Sequence, residues 1–271
     1  MITNDLPLGK TVVHSTRYDA GQLCPVARRP ARQKIGLPAE LPFYGEDRWT
    51  AYELSWLNEK GKPVVAVGDI IFPCTSPHII ESKSLKLYCN SFNQTQFGSD
   101  EIVQETMVND LSLVAGEQVK VHLIPPERFD VLQIAQPEGE CIDGLDIDIV
   151  HYQTHPDLLE TGEEVVEQSL HSNLLRTNCP VTGQPDWATV VINYHGRQIV
   201  KKSLLAYLVS YRQHTGFHEN CVERIFTDII SHCKPHRLMV YARFTRRGGI
   251  DINPYRSTEH GVANIGRLAR Q

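Results

Sequence analysis

Several signals that mark other protein classes are missing from this chain of 271 residues. The longest apolar stretch lies within residues 63–73, far short of the roughly 20 residues that a membrane-spanning helix needs. The N-terminus has no basic segment followed by an apolar run, so a secretory signal is not expected. A formal net charge of −5 disfavours nucleic-acid binding by bulk charge. We therefore expect a cytoplasmic protein with no membrane partner and no direct nucleic-acid partner.

Cysteine pairs and the common nucleotide and hydrolase motifs are also missing. The seven cysteines are odd in number and contain no CxxC, which disfavours a disulfide framework or a zinc ribbon and predicts free thiols. Neither GxGxxG nor GxxxxGK(S/T) occurs, so a Rossmann or P-loop nucleotide site is not expected. The motifs GxSxG and HExxH are absent as well. Nucleotide binding by another fold remains open.

An acidic stretch is the most conspicuous candidate for a metal site. In residues 141–150, apolar residues alternate with Asp146 and Asp148, which predicts an extra strand whose acidic side chains face solvent. A divalent-cation site that also includes Asp143 is the alternative. A calcium loop would need more ligands and a supporting glycine pattern. We therefore predict no metal site.

A pattern of strand, helix, helix and strand occurs twice, each element recognised by its apolar periodicity. The first copy covers residues 64–72, 81–93, a helix capped by Ser99 and ended by Gly116, and 118–124. The second copy covers residues 188–194, 201–211, 220–233 and 237–244. A shift of 119 positions aligns identical residues of the two helical regions, which supports an internal repeat.

This pattern predicts an α+β fold with two tandem modules, each an antiparallel sheet with two helices packed on one face. We expect an irregular N-terminal segment over residues 1–62 and a first module over 63–126. An acidic connector over 127–172 leads to a second module over 173–271.

Cys179 has the most informative surroundings of the seven cysteines. It lies in a loop with proline and glycine just before a strand, and Asp186 follows seven residues later. A thiol has a reference pKa of about 8.5, so a nucleophilic Cys179 needs a nearby base or positive charge. A turn cysteine with a capping aspartate is an equally good interpretation of the same residues.

Two further segments have both a functional and a plain interpretation. His218 and Glu219 stand together at a helix start, where they could hydrogen-bond a heterocycle or simply cap the helix. The run Arg246–Gly249 follows the last strand. It could bind an anion through guanidinium and backbone N–H groups, or it could form only a turn.

Four of these segments together resemble one known family. ESKSLKLY at 81–88 resembles the signature of the NADPH-dependent 7-cyano-7-deazaguanine reductases, the nitrile reductases of queuosine biosynthesis. CPVTGQPDW at 179–187 resembles their nucleophile loop, GFHE at 216–219 their substrate-binding segment, and RRGG at 246–249 their cofactor region. The resemblance covers nearly the whole chain and points to the long, two-module form.

The resemblance implies a fold, an assembly and a reaction. The fold is the tunnelling fold, and the long form is expected to be a homodimer. The reaction is the four-electron reduction of the nitrile of 7-cyano-7-deazaguanine to the aminomethyl product. It uses two NADPH and passes through a covalent thioimide on the cysteine, because a nitrile carbon is a weak electrophile for direct hydride attack.

The resemblance also assigns roles to residues of this chain. Cys179 is the expected nucleophile and Asp186 the expected proton donor and acceptor. The expected substrate contacts are Ile80, Glu81, Ser82, Phe217, His218 and Glu219. The expected cofactor contacts are Ser82, Lys83, Arg247 and Gly248. Glu81 and Glu219 belong to different modules, so the substrate pocket is expected between the modules.

A cyclohydrolase-like pterin enzyme on the same fold is the rival interpretation. Such an enzyme would need a zinc site and would use water attack rather than hydride transfer.

Overall fold

The computed structural model describes residues 17–261 and 266–271. The chain divides into two compact units, each drawn from three segments. The first unit comprises Met1–Pro30, Asp47–Gln133 and Arg246–Ile252, and the second comprises Ala31–Glu46, Ile134–Thr245 and Asn253–Gln271. The predicted modules were continuous stretches of chain, whereas each unit also takes in chain from elsewhere.

The regular elements are as follows. The strands are β1 Pro25–Ala27, β2 Tyr44–Leu57, β3 Pro63–Pro73, β4 His78–Ile80, β5 Lys120–Ile124, β6 Glu140–Cys141, β7 Thr161–Asn178, β8 Pro185–Ile199, β9 Arg237–Phe244 and β10 Ile250–Ser257. The α-helices are α1 Arg29–Lys34, α2 Ser82–Ser91, α3 Asp100–Ala115, α4 Lys201–Val209 and α5 His218–Cys233. Short 3-10 helices cover Ala20–Gln22, Pro126–Leu132, Pro156–Leu158 and Ser210–Gln213.

In the first unit, helices α2 and α3 cover one face of strands ordered β5–β3–β2. The even-numbered positions of β3, Ala66, Ile70 and Phe72, share one core with Tyr88 of α2 and Met107 of α3. Such spacing places one face of the strand against the helices. Helix α3 begins and ends as predicted: Ser99 Oγ accepts the Ile102 N–H, and Gly116 adopts a left-handed backbone.

In the second unit, to which β10 contributes its residues from Asn253 onward, the strand order is β10–β9–β8–β7–β6, antiparallel except for the two-residue β6. The apolar residues of α5 recur at helical spacing and are fully buried, as Val222, Ile225 and Phe226 illustrate. On β8, Ala188 and the alternate positions beyond it as far as Gly196 are also buried. The opposite face of these strands carries a separate small core of Val191, Tyr241, Tyr255 and Leu268.

Two predictions about the segments outside the modules are wrong. Residues 1–62 were expected to be irregular, yet β2 occupies 44–57 and buries Trp49 and Trp56. Its period-two burial changes phase between Ala51 and Leu54, so each half is too short to stand out in the sequence. Residues 142–150 form no strand. Asp146 and Asp148 there are exposed, as expected, and Asp143 accepts hydrogen bonds from Ser172 and Asn173.

The acidic connector also contains most of β7. The residues just before β7 contact helix α4 in the same way as the N-terminal segment contacts helix α2. Ser84 Oγ of α2 accepts the Cys24 N–H, and Ser203 Oγ of α4 accepts the Glu160 N–H. A short 3-10 helix precedes both segments, at residues 20–22 and 156–158. The segment before β7 therefore has a counterpart in the first unit.

The predicted fold class is confirmed: each unit combines largely antiparallel strands with a pair of helices. The strand β9 has the predicted bounds, and the four predicted helices are all present. Of the described residues, no helix is long and apolar enough to cross a membrane.

Candidate functional site

Cys179 closes the hairpin between β7 and β8. Its N–H donates to the Gln184 carbonyl at 2.8 Å, and the Gly183 N–H donates back to the Cys179 carbonyl at 3.0 Å. Gly183 has φ +68°, a left-handed conformation that glycine adopts without strain. The thiol-bearing residue is 6% exposed. The loop therefore holds a nearly buried cysteine by backbone hydrogen bonds on both sides.

The ladder beside this loop places Asp186 on the same face as Cys179. Asp186 pairs directly with Thr177 across β7 and β8, and Cys179 lies two residues after Thr177. Residues two apart in a strand share a face, and diagonal neighbours across a ladder lie about 7–8 Å apart at their Cα atoms. That separation suits a small reacting group between the thiol and the carboxyl. Asp186 is the second residue of β8.

His218 completes a contact with this carboxylate. Its Nε2 lies 3.3 Å from Asp186 Oδ2, and its ring stacks on Phe244 with centroids 3.8 Å apart and planes 2° from parallel. Phe244 pairs with Ala188, two residues along the same face from Asp186. The aromatic stack fixes the plane of the imidazole, so that one ring nitrogen meets the carboxylate.

The start of α5 is not capped by a side chain. Phe217 is the N-cap residue and provides no side-chain hydrogen bond. His218 and Glu219 follow as the first two helical residues, and Glu219 is 3% exposed. A buried carboxylate in the first turn is favoured by the helix dipole. Phe217 therefore gives this helix no side-chain cap, and His218 contacts Asp186 instead.

Several buried polar atoms around this helix start lack a hydrogen-bond partner among the described residues. They are Thr177 Oγ1, His214 Nε2, His218 Nδ1 and Asn220 Nδ2. Buried polar groups are normally hydrogen-bonded, so a group of such atoms indicates a place where a ligand completes the bonding. No motif or periodicity in the sequence marks Thr177, His214 or Asn220.

His214 is neutral near physiological pH. Burial lowers the pKa of its imidazole to about 4, and the positive charge of Arg224 acts in the same direction. Its carbonyl accepts the Asn178 N–H at 2.7 Å, so it also supports the residue before Cys179. The only sequence signal for this role is its position two residues before Gly216.

In the first unit, Glu81 is the N-cap residue of α2. Its carboxylate accepts the N–H groups of Lys83 and Ser84 at 3.0 and 2.8 Å, and the residue is 1% exposed. Burial raises the pKa of this carboxyl, against the lowering effect of the two backbone donors. Ile80, also buried, precedes it at the end of β4, and Ser82 begins the helix.

The predicted cofactor residues form a second group in the first unit. Arg247 and Ile250 exchange backbone hydrogen bonds around a tight turn in which Gly248 and Gly249 have φ +59° and +80°. Lys86 Nζ lies 2.5 Å from the Gly248 carbonyl oxygen and 2.5 Å from Glu53 Oε2. Lys86 thus ties this turn to α2, the helix that carries Ser82 and Lys83.

Residues 246–249 therefore form the turn of the plain interpretation. A Cβ on Gly248 would lie 3.0 Å from Lys86 Cδ, so only glycine leaves this approach free of crowding. No sequence pattern reveals such a contact, because 162 positions separate the two residues.

No group of three or more His, Cys, Asp or Glu side chains that could hold a metal ion occurs within residues 17–261 and 266–271. The acidic residues near 143–148 do not converge into one, since Asp143 is engaged by Ser172 and Asn173. The rival zinc interpretation thus finds no ligand set in the described part of the chain.

Comparison with known proteins gives consistent matches. Residues 14–123 match the family described as "Nitrile reductase, 7-cyano-7-deazaguanine-reductase N-term", and residues 185–262 match "QueF-like protein". A protein from Desulfotalea psychrophila named NADPH-dependent 7-cyano-7-deazaguanine reductase is 60% identical over 100% of this chain and 99% of its own. One of the same name from Paraburkholderia xenovorans is 52% identical, with 100% of both chains covered.

Proposed function

The chain belongs to the family of NADPH-dependent 7-cyano-7-deazaguanine reductases, and from this premise we propose that it reduces its nitrile through a covalent thioimide on Cys179. It is an NADPH-dependent oxidoreductase that acts on a nitrile. The substrate is 7-cyano-7-deazaguanine and the product is the primary amine 7-aminomethyl-7-deazaguanine. The observation that carries the proposal is the placement of Asp186, with His218 against it, on the same face of the hairpin as Cys179.

The first chemical step is addition of the Cys179 thiol across the nitrile. The Sγ–C bond forms, one C–N π bond breaks, and the nitrile nitrogen takes a proton from the Asp186 carboxyl, which regains it from the thiol. His218 orients this carboxyl through the 3.3 Å contact. Covalent addition replaces one difficult reduction by two easier steps, and a positioned acid contributes about 10²–10⁴-fold.

The substrate base is held by its hydrogen-bond donors. A deazaguanine presents ring N–H and exocyclic NH₂ groups, and a carboxylate is the strongest acceptor for such a pair. Glu219 is buried beside the polar atoms that lack partners, including His218 Nδ1, which suits it to this role. Glu81 is the second acceptor in the proposal, with Ile80, Ser82 and Phe217 lining the base.

The cofactor residues fit a phosphate-bearing ligand. The Gly248 turn has the left-handed backbone and the lack of Cβ that let a phosphate approach its N–H groups. Arg247 and Lys83 supply positive charge, and Ser82 supplies a hydroxyl at the start of α2. These four residues would hold NADPH, which supplies hydride when bound, two per nitrile.

The wider setting is also part of the proposal. We place the reaction in the cytoplasm, as a step of tRNA queuosine biosynthesis that acts on the free base and not on nucleic acid. The active protein is expected to be a homodimer.

The experiment is the oxidation of NADPH, followed at 340 nm, in the presence of 7-cyano-7-deazaguanine. The expected result is two NADPH consumed per nitrile, with the amine as the product. Oxidation of NADPH without amine formation, or a ratio of one, would contradict the four-electron reduction.

A further inference from the structure

Three arginine side chains surround a single tryptophan next to the hairpin loop of the second unit. The guanidinium carbons of Arg176, Arg212 and Arg270 lie 6.0, 5.6 and 5.6 Å from the centre of the Trp187 ring. These arginines come from β7, from the 3-10 helix after α4 and from the C-terminal segment. We call these four residues the arginine–tryptophan cluster.

The positive charges of the cluster have no carboxylate partner among the described residues. Arg176 donates to the Arg212 carbonyl and Arg270 to the Asn173 carbonyl at 2.7 Å, so their polar contacts are with neutral backbone oxygens. By contrast, Arg237, another exposed arginine of this unit, lies 2.9 Å from Glu167 Oε1. Like charges that meet at one ring repel each other, and a bound anion would relieve this repulsion.

The cluster lies on the other face of the hairpin from the proposed nucleophile. Arg176 pairs directly with Trp187 across the ladder, one position along from the pair of Thr177 and Asp186. Because successive residues in a strand point to opposite faces, the cluster and the Cys179 side are separated by the two strands themselves. The cluster is therefore not part of the substrate contacts assigned above.

We propose that the arginine–tryptophan cluster binds an oligophosphate, an anion with two or more linked phosphate groups. Guanidinium groups bind phosphate oxygens with two parallel hydrogen bonds, and three of them match the charge of such an anion. The three cations meet at one ring and do not form an extended stripe, which favours a compact ligand over a nucleic-acid backbone. Arg212 and Arg270 are exposed, so the ligand can reach them from solvent.

The cluster carries its own spectroscopic probe. The other two tryptophans, Trp49 and Trp56, are 2% and 1% exposed and belong to the first unit, whereas Trp187 is partly exposed. Titration with inorganic tripolyphosphate, at constant ionic strength kept with potassium chloride, should change tryptophan fluorescence in a saturable manner. Trp187→Phe should lose this change, and calorimetry on the same variant should still detect binding.

The test variants are Arg212→Gln and Arg270→Gln. The control is Arg237→Gln, which changes an exposed arginine outside the cluster. Each cluster variant should weaken tripolyphosphate binding by about tenfold, the loss expected for one charge-assisted contact. Arg237→Gln should bind as the wild-type protein does. Equal affinity in all three variants, or a fluorescence change that chloride alone reproduces, would overturn the proposal.

A repeat of the titration with saturating NADP⁺ identifies the source of the phosphates. Competition would mean that the cluster holds the phosphates of the dinucleotide, and independent binding would mean a separate oligophosphate; either result supports the site. The titrations contain no nitrile, so failure of this proposal and failure of the nitrile reduction are measured separately.

Discussion

The β2–β3 hairpin of the first unit and the β7–β8 hairpin of the second unit have similar loops. The residue that begins the loop is Asn58 in the first and Cys179 in the second. In the first unit, the Asn58 N–H donates to the Lys62 carbonyl and the Gly61 N–H to the Asn58 carbonyl. Cys179 has the same two kinds of bond, and both loops use a glycine with positive φ. Asn58 Oδ1 closes its own turn by accepting the Lys60 and Lys62 N–H groups. In the first unit, the Asn58 side chain hydrogen-bonds the backbone of its own turn, whereas the loop of the second unit carries the thiol of Cys179 at this position.

Helices α2 and α3 of the first unit begin with side-chain caps, and α4 and α5 of the second unit do not. Glu81 caps α2 with its carboxylate, whereas Val200, at the same place before α4, makes no side-chain cap. Ser99 caps α3, whereas Phe217 leaves the start of α5 without a side-chain cap. The two units therefore share these backbone features and differ in their functional side chains, so that neither unit contains the full proposed set.

The largest expected effect tests the hairpin comparison. Cys179→Ala should reduce the rate of nitrile reduction by at least about 10³-fold, because removal of a nucleophile is among the most damaging changes to an enzyme. Asn58→Ala, the change at the matching position of the first unit, should leave the rate within about twofold. Full activity of Cys179→Ala in an NADPH-oxidation assay would contradict a catalytic role for Cys179.

A second effect concerns pH and the second unit. His214 aligns with Thr95 at the repeat spacing of 119 positions. With a folded pKa of about 4 against about 6.5 unfolded, protonation favours the unfolded state as the pH falls from about 6.5 to about 4. His214 should therefore lower the free energy of unfolding by about 2 kcal/mol when the pH is reduced from 7.5 to 5. Urea unfolding at both pH values should show a loss smaller by that amount in His214→Thr, and an identical loss would contradict the burial of its neutral ring.

The third effect concerns Glu219, a buried glutamate of the second unit, and distinguishes a role in substrate binding from one in cofactor binding. Glu219→Gln replaces one acceptor of the proposed base contact by an amide, so it should raise KM for 7-cyano-7-deazaguanine by about 10- to 100-fold. The KM for NADPH should remain within about threefold, since Glu219 is not among the proposed cofactor contacts. Steady-state kinetics with each substrate varied in turn would show this; equal changes in both KM values would argue against a substrate role.

The smallest effect concerns the caps. Glu81→Ala should lower the unfolding free energy by about 1 kcal/mol, the usual value of an N-cap side chain, because the Lys83 and Ser84 N–H groups lose their acceptor. Val200→Ala is the control, since Val200 provides no side-chain cap. If both variants unfold at the same urea concentration as the wild-type protein, the capping difference between the units has no energetic weight.

The elements with strong periodicity could be predicted from the sequence, whereas the strands β7 and β10 could not. Helix α3 has both its cap residues in the expected places, and β9 has its expected bounds. The strand β10 contains a proline and an asparagine, both buried, and β7 mixes charged residues with apolar ones. Their pairing depends on neighbouring strands far along the chain, which local patterns do not encode.

The candidate site shows the same limit. Cys179, Asp186 and Glu219 stand out because of loop composition and family resemblance, and their roles stay predictions. The contacts around them join distant positions: His218 stacks on Phe244, and Lys86 reaches Gly248. No periodicity predicts such contacts, because they arise only when strands and helices are placed side by side.

The most direct test of the central claim is the intact mass of the protein after mixing with 7-cyano-7-deazaguanine in the absence of NADPH. We predict an added mass equal to one substrate molecule, because addition of a thiol to a nitrile releases no atom. The adduct should map to Cys179, be absent from Cys179→Ala, and be retained by Asn58→Ala. No added mass on wild-type protein from a preparation that reduces the nitrile once NADPH is supplied, or an adduct on another cysteine, would contradict the account.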